Sequence, residues 1–295
     1  MGRYKDLLGG IELLSVENML KDKHPCFSHK AHFKYGRIHL PVAPRCNIKC
    51  RYCVRETGSS ENRPGVTEKI LSPSDALRKL RSVIKQNISL RVVAVAGPGE
   101  PLANPETFET LYMTKKEFPH LIRCIATNGL FLKESIEELK RAGVHTITVT
   151  ANAVDPEIGK NIYKYVILNG KRYDGKEGAE ILIERQKSGV KEAVSRGMIV
   201  KINTVFIPHI NSDHIVEIAK TYSILGASVM NIMPLIPVGE FSHIRPPTHK
   251  QIEDVQLMCE RYIEQFKLCK QCRADACGIP GLEGKENESL GSACI

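Results

Sequence analysis

Six short runs rich in Val, Ile and Thr punctuate the chain: Ile38–Pro44, Arg91–Ala96, Ile122–Thr127, Thr146–Ala151, Ile199–Ile207 and Val229–Leu235. Such runs read as buried strands. Amphipathic helical patterns separate them, at Ser74–Gln86, Pro105–Phe118, Lys133–Ala142, Glu177–Arg196 and Ser212–Leu225, and a last one follows at Thr248–Lys267. Ser72-Pro73 marks one helix start, and Gly143 sits where a helix C-terminal glycine belongs. Strand–helix alternation calls for a parallel sheet with crossover helices. Six repeats fit an α/β fold built as a partial (βα)6 TIM-like barrel, and a doubly wound open sheet is the alternative. Unusual residues cluster just after each run. Cys46 to Cys50 follow the first, Gly97 to Pro101 the second, Asn128-Gly129 the third and Asn152 the fourth. Pro208 to Asn211 and Pro237 to Glu240 follow the last two. Barrel active sites form at these carboxyl ends.

The 295 residues suit one such domain, with a core barrel at about 36–240, an N-terminal extension at 1–35 and a C-terminal helix and Cys-rich tail at 241–295. No apolar run approaches the ~18 residues of a membrane span. The first twenty residues lack the apolar stretch of a signal peptide. A cytoplasmic protein is expected, with no membrane partner. The formal charge is +9, but Lys and Arg alternate with Glu and Asp along the helices. There is no dense basic block and no Trp, so nucleic acid is not an expected partner. In such a setting the ten cysteines point to metal or catalysis rather than disulfides.

The densest chemistry is Cys46-x3-Cys50-x2-Cys53. Three thiolates in one loop can bind three irons of a cubane and leave the fourth iron open for a small chelating ligand. A structural zinc completed by a distant His or Cys is the competing reading of three thiols alone. The aromatic Tyr52 before the last cysteine and the strand-end setting make the segment resemble the radical S-adenosylmethionine (SAM) superfamily. That resemblance implies a SAM-binding 4Fe-4S cluster on Cys46, Cys50 and Cys53. It also implies a SAM amino group held at Gly97-Pro98-Gly99-Glu100-Pro101, with Glu100 as acceptor and Gly97 and Gly99 allowing close approach. Asn128 and Asn152 are candidates for the ribose or carboxylate, though helix capping would also account for them.

Further segments narrow the resemblance. His24-Pro25-Cys26-Phe27, the run Arg37 to Ile48, Glu61-Asn62-Arg63-Pro64-Gly65-Val66, Asn152 to Glu157 and Cys269-x2-Cys272-Arg273-Ala274-Asp275-Ala276 resemble the NifB family of nitrogenase cofactor biosynthesis proteins. The likeness runs from about residue 24 to residue 278, in the short form without a C-terminal NifX-like domain. It implies an enzyme that fuses two auxiliary 4Fe-4S clusters into an eight-iron, nine-sulfur core around a carbide. One SAM donates a methyl group, a second yields the 5′-deoxyadenosyl radical that takes hydrogen from it, and one sulfur is added. It implies auxiliary ligands at Cys26 and Cys124, with His24 as a further candidate, and at Cys269 and Cys272. Cys277 and Cys294 are possible extra ligands. Glu61 matches a carboxylate that works near the auxiliary cluster. The implied partners are SAM, a cluster donor, an electron donor such as ferredoxin or flavodoxin, and a carrier or maturation scaffold of the NifX or NifEN type.

One stretch departs from that pattern. The family usually places a cysteine three residues before the Glu of Glu61-x-Arg63-Pro64-Gly65; here residues 55–61 contain none. Either His24, Glu61 or Ser60 takes the place of that thiolate, or the chain is a radical SAM paralogue that modifies a peptide or small molecule beside one auxiliary cluster. A non-catalytic iron–sulfur carrier is the third reading, and it has no use for a SAM pocket.

Overall fold

The computed structural model of the protein describes residues 20, 22–86 and 89–282. Its centre is an eight-stranded sheet. Six strands form the barrel: β1 (Gly36–His39), β2 (Leu90–Val95), β3 (Ile122–Thr127), β4 (Val144–Thr150), β5 (Ile199–Phe206) and β6 (Val229–Pro234). They lie side by side in chain order, all parallel. A strand order that never reverses puts every right-handed crossover on the same face, so the sheet curls into a partial barrel. The doubly wound alternative, which needs a reversal, is not what the chain adopts.

Helices α1 (Pro73–Lys85), α2 (Pro105–Glu117), α3 (Leu132–Arg141), α4 (Gly175–Ser195), α5 (Ile215–Ile224) and α6 (His249–Cys259) include the crossovers and the helix after β6. The start of α1 obeys the sequence signal: Ser72 accepts a hydrogen bond from the Asp75 amide, with Pro73 at the first position. The expected last helix, Thr248–Lys267, stops at Cys259, and Glu264–Gln265 instead add a short parallel strand beside β6. At the other edge, Cys277–Gly278 pair antiparallel with β1. Residues 266–276 therefore run from one edge of the open sheet to the other.

Outward-facing strand residues such as Ile147, Val149, Val200, Ile202, Met230 and Ile232 pack with the helices into the main core. Inward positions differ. Ala94, Ala96, Ala126, Thr148, Thr150 and Asn203 line a cavity. Small side chains there leave the barrel hollow, where a filled barrel would stack Val, Ile and Leu.

The loop after β1 is shaped by a second sheet that the sequence did not reveal. Ile48–Cys50 pair antiparallel with Tyr163–Leu168, which pair with Lys171–Asp174. The loop after β2 is fixed against it by the amides of Gly99 and Glu100, which donate to the carbonyls of Ala43 (2.7 Å) and Arg45 (2.8 Å). A Cβ at Gly99 would sit 2.3 Å from the Arg45 carbonyl oxygen, a contact with backbone that cannot swing away. Gly99→Ala is thus expected to lower stability by about 1–3 kcal/mol in denaturant unfolding. An unchanged midpoint would show that this loop yields freely.

Candidate active site

Seven of the ten cysteines face one cavity of about 310 Å³ that runs through the barrel. Cys46, Cys50 and Cys53 stand at its upper pole, beyond the carboxyl end of β1. Cys26 and Cys124 (from the middle of β3) lie deeper, and Cys269 and Cys272 line the cavity from the segment that crosses between the sheet edges, Cys269 packing against the same apolar cluster as Cys46 and Cys50. Cys26 and Cys272 influence each other electrostatically, as do Cys26 and Cys269, which places the three close together.

The upper pole is held by polar brackets. Lys49 donates to the Cys53 carbonyl at 2.8 Å. Arg51 pairs with Glu240, which also pairs with Lys164 at 2.8 Å, so the cysteine loop is tied to the loop after β6. Glu100 lines the cavity at 3% exposure and accepts from the Leu102 amide (3.0 Å), the Thr127 hydroxyl (2.5 Å) and the Asn128 amide (2.6 Å). Burial lifts its pKa to about 7, and those three donors oppose the rise. Asn128 lines the cavity too, with its amide group on the Asn47 side-chain oxygen at 2.7 Å.

Burial also raises the thiols. Cys46 is pushed up to about 11, with Glu100 adding to the effect. Cys26 is pushed up to about 12 and Cys124 to about 11, both chiefly by burial. Iron binds the thiolate, so loading these sites has to expel protons. Among the described residues no three His, Cys, Asp or Glu side chains converge as tightly as a single metal ion requires. The corner ligands of a cubane each meet a different iron and need no common point, so the donor set fits a cluster.

Several expected residues stand elsewhere. Asn152 is fully buried and does not line the cavity. Its side chain donates to the Tyr52 hydroxyl at 2.8 Å and accepts from the Val205 amide at 2.8 Å. It orients the aromatic of the cysteine motif, where a ligand contact was expected. Gly97 is also absent from the cavity wall, and the close approach at Gly99 is to the chain's own backbone. Glu61 lies outside the cavity with its side chain 57% exposed, on Arg63. Ser60 is likewise outside the wall. Cys277 sits on the edge strand beside β1, away from the cavity, and its sulfur is in a disulfide, which removes it as a thiolate ligand. Cys294 lies outside the described residues. Cys259 is buried in the main core.

Of the three histidines that line the cavity, His24 and His39 carry opposite tautomers. His24 Nδ1 accepts from the Cys26 amide at 3.1 Å, so its proton sits on Nε2. Nε2 is buried and has no hydrogen-bond partner. As placed, that nitrogen offers a donor and not the lone pair that a metal ligand needs. His39, which sequence reasoning passed over, lines the cavity with Nδ1 on the Arg273 carbonyl oxygen at 3.0 Å. A carbonyl can only accept, so His39 keeps its lone pair on Nε2. Arg37 and Lys201 were missed as well. Arg37 is 1% exposed and donates to the Gly278 carbonyl (2.9 Å) and the Cys272 sulfur (3.1 Å). Lys201 is 3% exposed and donates to the Cys26 carbonyl at 2.7 Å. A signal was present: Arg37/His39 and Lys201/Asn203 stand at period two in otherwise apolar strands, a pattern that aims polar groups into the barrel.

Asn152→Leu would strand the Val205 amide and remove a partner of the Tyr52 hydroxyl. We expect it to lower stability by about 2–4 kcal/mol in denaturant unfolding; no loss would mean the bracket is dispensable. Cys277→Ser is expected to retain the iron content of the parent protein after anaerobic reconstitution, and loss of iron would restore it as a ligand.

Comparison with known proteins agrees with this picture. The radical SAM superfamily profile matches residues 40–222. The chain is 49% identical over 271 residues to the FeMo cofactor biosynthesis protein NifB of Methanocaldococcus infernus, covering 91% of this chain and 89% of that protein. It is 50% identical over 258 residues to the NifB of Methanocaldococcus jannaschii, covering 87% and 86%. With the NifB of Azotobacter vinelandii it shares 40% identity over 266 residues, 88% of this chain but 53% of that longer protein. Among solved structures, Streptococcus suis SuiB bound to S-adenosylmethionine aligns with a TM-score of 0.55 at 16% identity, over 80% of this chain and 50% of that one. A radical SAM methyltransferase from Sphaerobacter thermophilus gives 0.50 at 17% identity, over 78% and 64%. These two share the fold. The sequence relationship is much closer, and the chain belongs to the NifB family of the radical SAM superfamily.

Proposed function

We propose that this chain carries out the NifB-type reaction, in which two 4Fe-4S clusters are its substrates. They are joined with a SAM-derived carbon and one added sulfur into the precursor of nitrogenase cofactor. The observation that carries the reading is the one cavity lined by seven cysteines. Cys46, Cys50 and Cys53 hold the resident 4Fe-4S cluster, which when bound supplies the electron that cleaves SAM reductively. Glu100 receives the SAM ammonium. A carboxylate has about four acceptor positions, and the chain's own donors fill three. With its pKa held near 7 by burial, an adjacent ammonium tips it to the charged form. Asn128 closes the same end, while Asn152 acts through Tyr52 as a positioning residue.

Cys26 and Cys124 take one cluster substrate, and Cys269 and Cys272 the other. His39 supplies a nitrogen lone pair where residues 55–61 lack the family's usual thiolate. Arg37 holds the Cys272 sulfur in place through its hydrogen bond. Both substrates and SAM then share one cavity, so a carbon set down by SAM has a short way to go. This reading calls for a cluster donor, a ferredoxin or flavodoxin as electron donor, and an acceptor of the NifX or NifEN type, all in the cytoplasm.

The test is anaerobic reconstitution with iron and sulfide, followed by SAM and a strong reductant with no other acceptor. S-adenosylhomocysteine and 5′-deoxyadenosine in comparable amounts are expected, with roughly twelve irons per chain for three clusters. Cys46→Ala is expected to abolish 5′-deoxyadenosine, and retained cleavage would sink the cluster assignment. 5′-Deoxyadenosine alone, with roughly eight irons, would move the chain to a paralogue acting on an organic substrate.

A further inference from the structure

Two buried donors beside Cys26 are under-used by the protein's own acceptors. The ammonium of Lys201 is 3% exposed. It makes one hydrogen bond, to the Cys26 carbonyl, and otherwise faces the rings of Phe27 (5.2 Å) and Phe266 (4.9 Å). No carboxylate pairs with it among the described residues. A buried cation served only by one carbonyl and two ring faces is poorly compensated. The second donor is His24 Nε2, buried, protonated by the tautomer argument and without a partner. The two groups interact electrostatically, as Lys201 does with Cys26 and Cys124, so all four belong to one locale.

A buried ammonium with one carbonyl partner and a buried ring N–H with none, both beside Cys26, suit an anion with acceptor atoms on its surface. We propose that Lys201, with His24 beside it, is the non-ligating cradle of the iron–sulfur cluster held by Cys26 and Cys124. Lys201 supplies the counter-charge and His24 donates to a cluster sulfide. Both are positioning residues, and the proposal rests on the reading of Cys26 and Cys124 given above. It assigns His24 a hydrogen-bonding role in place of ligation. It also explains why a lysine interrupts the apolar strand β5: the charge is a liability in the apo-protein and is compensated only when the anion arrives.

That logic makes two measurements move in opposite directions for Lys201→Met. Without iron, the variant is expected to unfold at the same or a higher denaturant concentration than the parent, because an uncompensated buried charge is gone. After anaerobic reconstitution it is expected either to lose about four irons per chain or to keep them with a more negative midpoint potential. A neighbouring cation favours the reduced cluster, and its removal does the reverse. Lys201→Arg should restore iron content and potential. The Cys46-anchored cluster, followed by its electron paramagnetic resonance signal with SAM, serves as the internal reference. Full iron at an unchanged potential in Lys201→Met overturns the assignment, as does an apo-protein destabilised by the change, which would make Lys201 a structural residue. Should Cys26→Ser/Cys124→Ser retain all the iron of the parent, the reading of that pair as a cluster site falls, and the cradle falls with it.

Discussion

A hollow interior is the constraint on which the rest of this molecule depends. An α/β barrel ordinarily gains much of its stability by stacking branched side chains along its axis. Here Ala94, Ala96, Ala126 and Thr148 occupy many of those positions, beside Val92, Val205, thiols, histidines and two cations. Hydrophobic stabilisation has to come from the other face of the sheet. The core clusters bear this out: Ile147, Val149, Val200 and Ile202 pack with the helices outside the barrel, and Leu80, Val83, Val93 and Val95 do so under α1. Interior volume is thereby freed for chemistry.

Without an apolar axis, the upper end of the barrel is held in register by polar links between neighbouring strand ends. Glu100 joins the loop after β2 to Thr127 and Asn128 at the end of β3. Asn152 joins the end of β4 to Val205 on β5 and to Tyr52 in the cysteine loop. Gln186 of α4 donates to the carbonyls of Asn128 and Thr150, adding a link from the helix layer. Each of these side chains is buried and hydrogen-bonded, the condition under which a polar group orders a core instead of weakening it. The position of Cys46, Cys50 and Cys53 is the sum of these links.

Much of the architecture was legible in the sequence because period and length are local properties. The run Ile122–Thr127 is the strand itself and four others differ from their strands by one or two residues at an end, but Ile38–Pro44 shares only Ile38 and His39 with β1. What escaped was non-local. Ile48–Cys50 becomes a strand only because Tyr163–Leu168 lies beside it, and no pattern in three residues announces that. The helix expected to run to Lys267 yields at Cys259 because Glu264–Gln265 find a place beside β6. For the site, the three spaced cysteines and Glu100 do line the cavity, whereas Asn152 and Gly97 do not, since a strand-end residue can serve the fold as easily as face the interior. The tautomers of His24 and His39, which decide what each can do, are set by partners 2 and 234 residues away.

The segment between the two sheet edges has one further implication. An open barrel leaves two rows of unpaired backbone groups, each a template for unwanted pairing with another chain. Glu264–Gln265 cover one row and Cys277–Gly278 the other, so a single stretch acts as a clasp across the seam. Cys269 and Cys272 sit in the span of that clasp. The strip of residues that covers both edges outside is thus the same one that brings two sulfurs to the cavity wall inside.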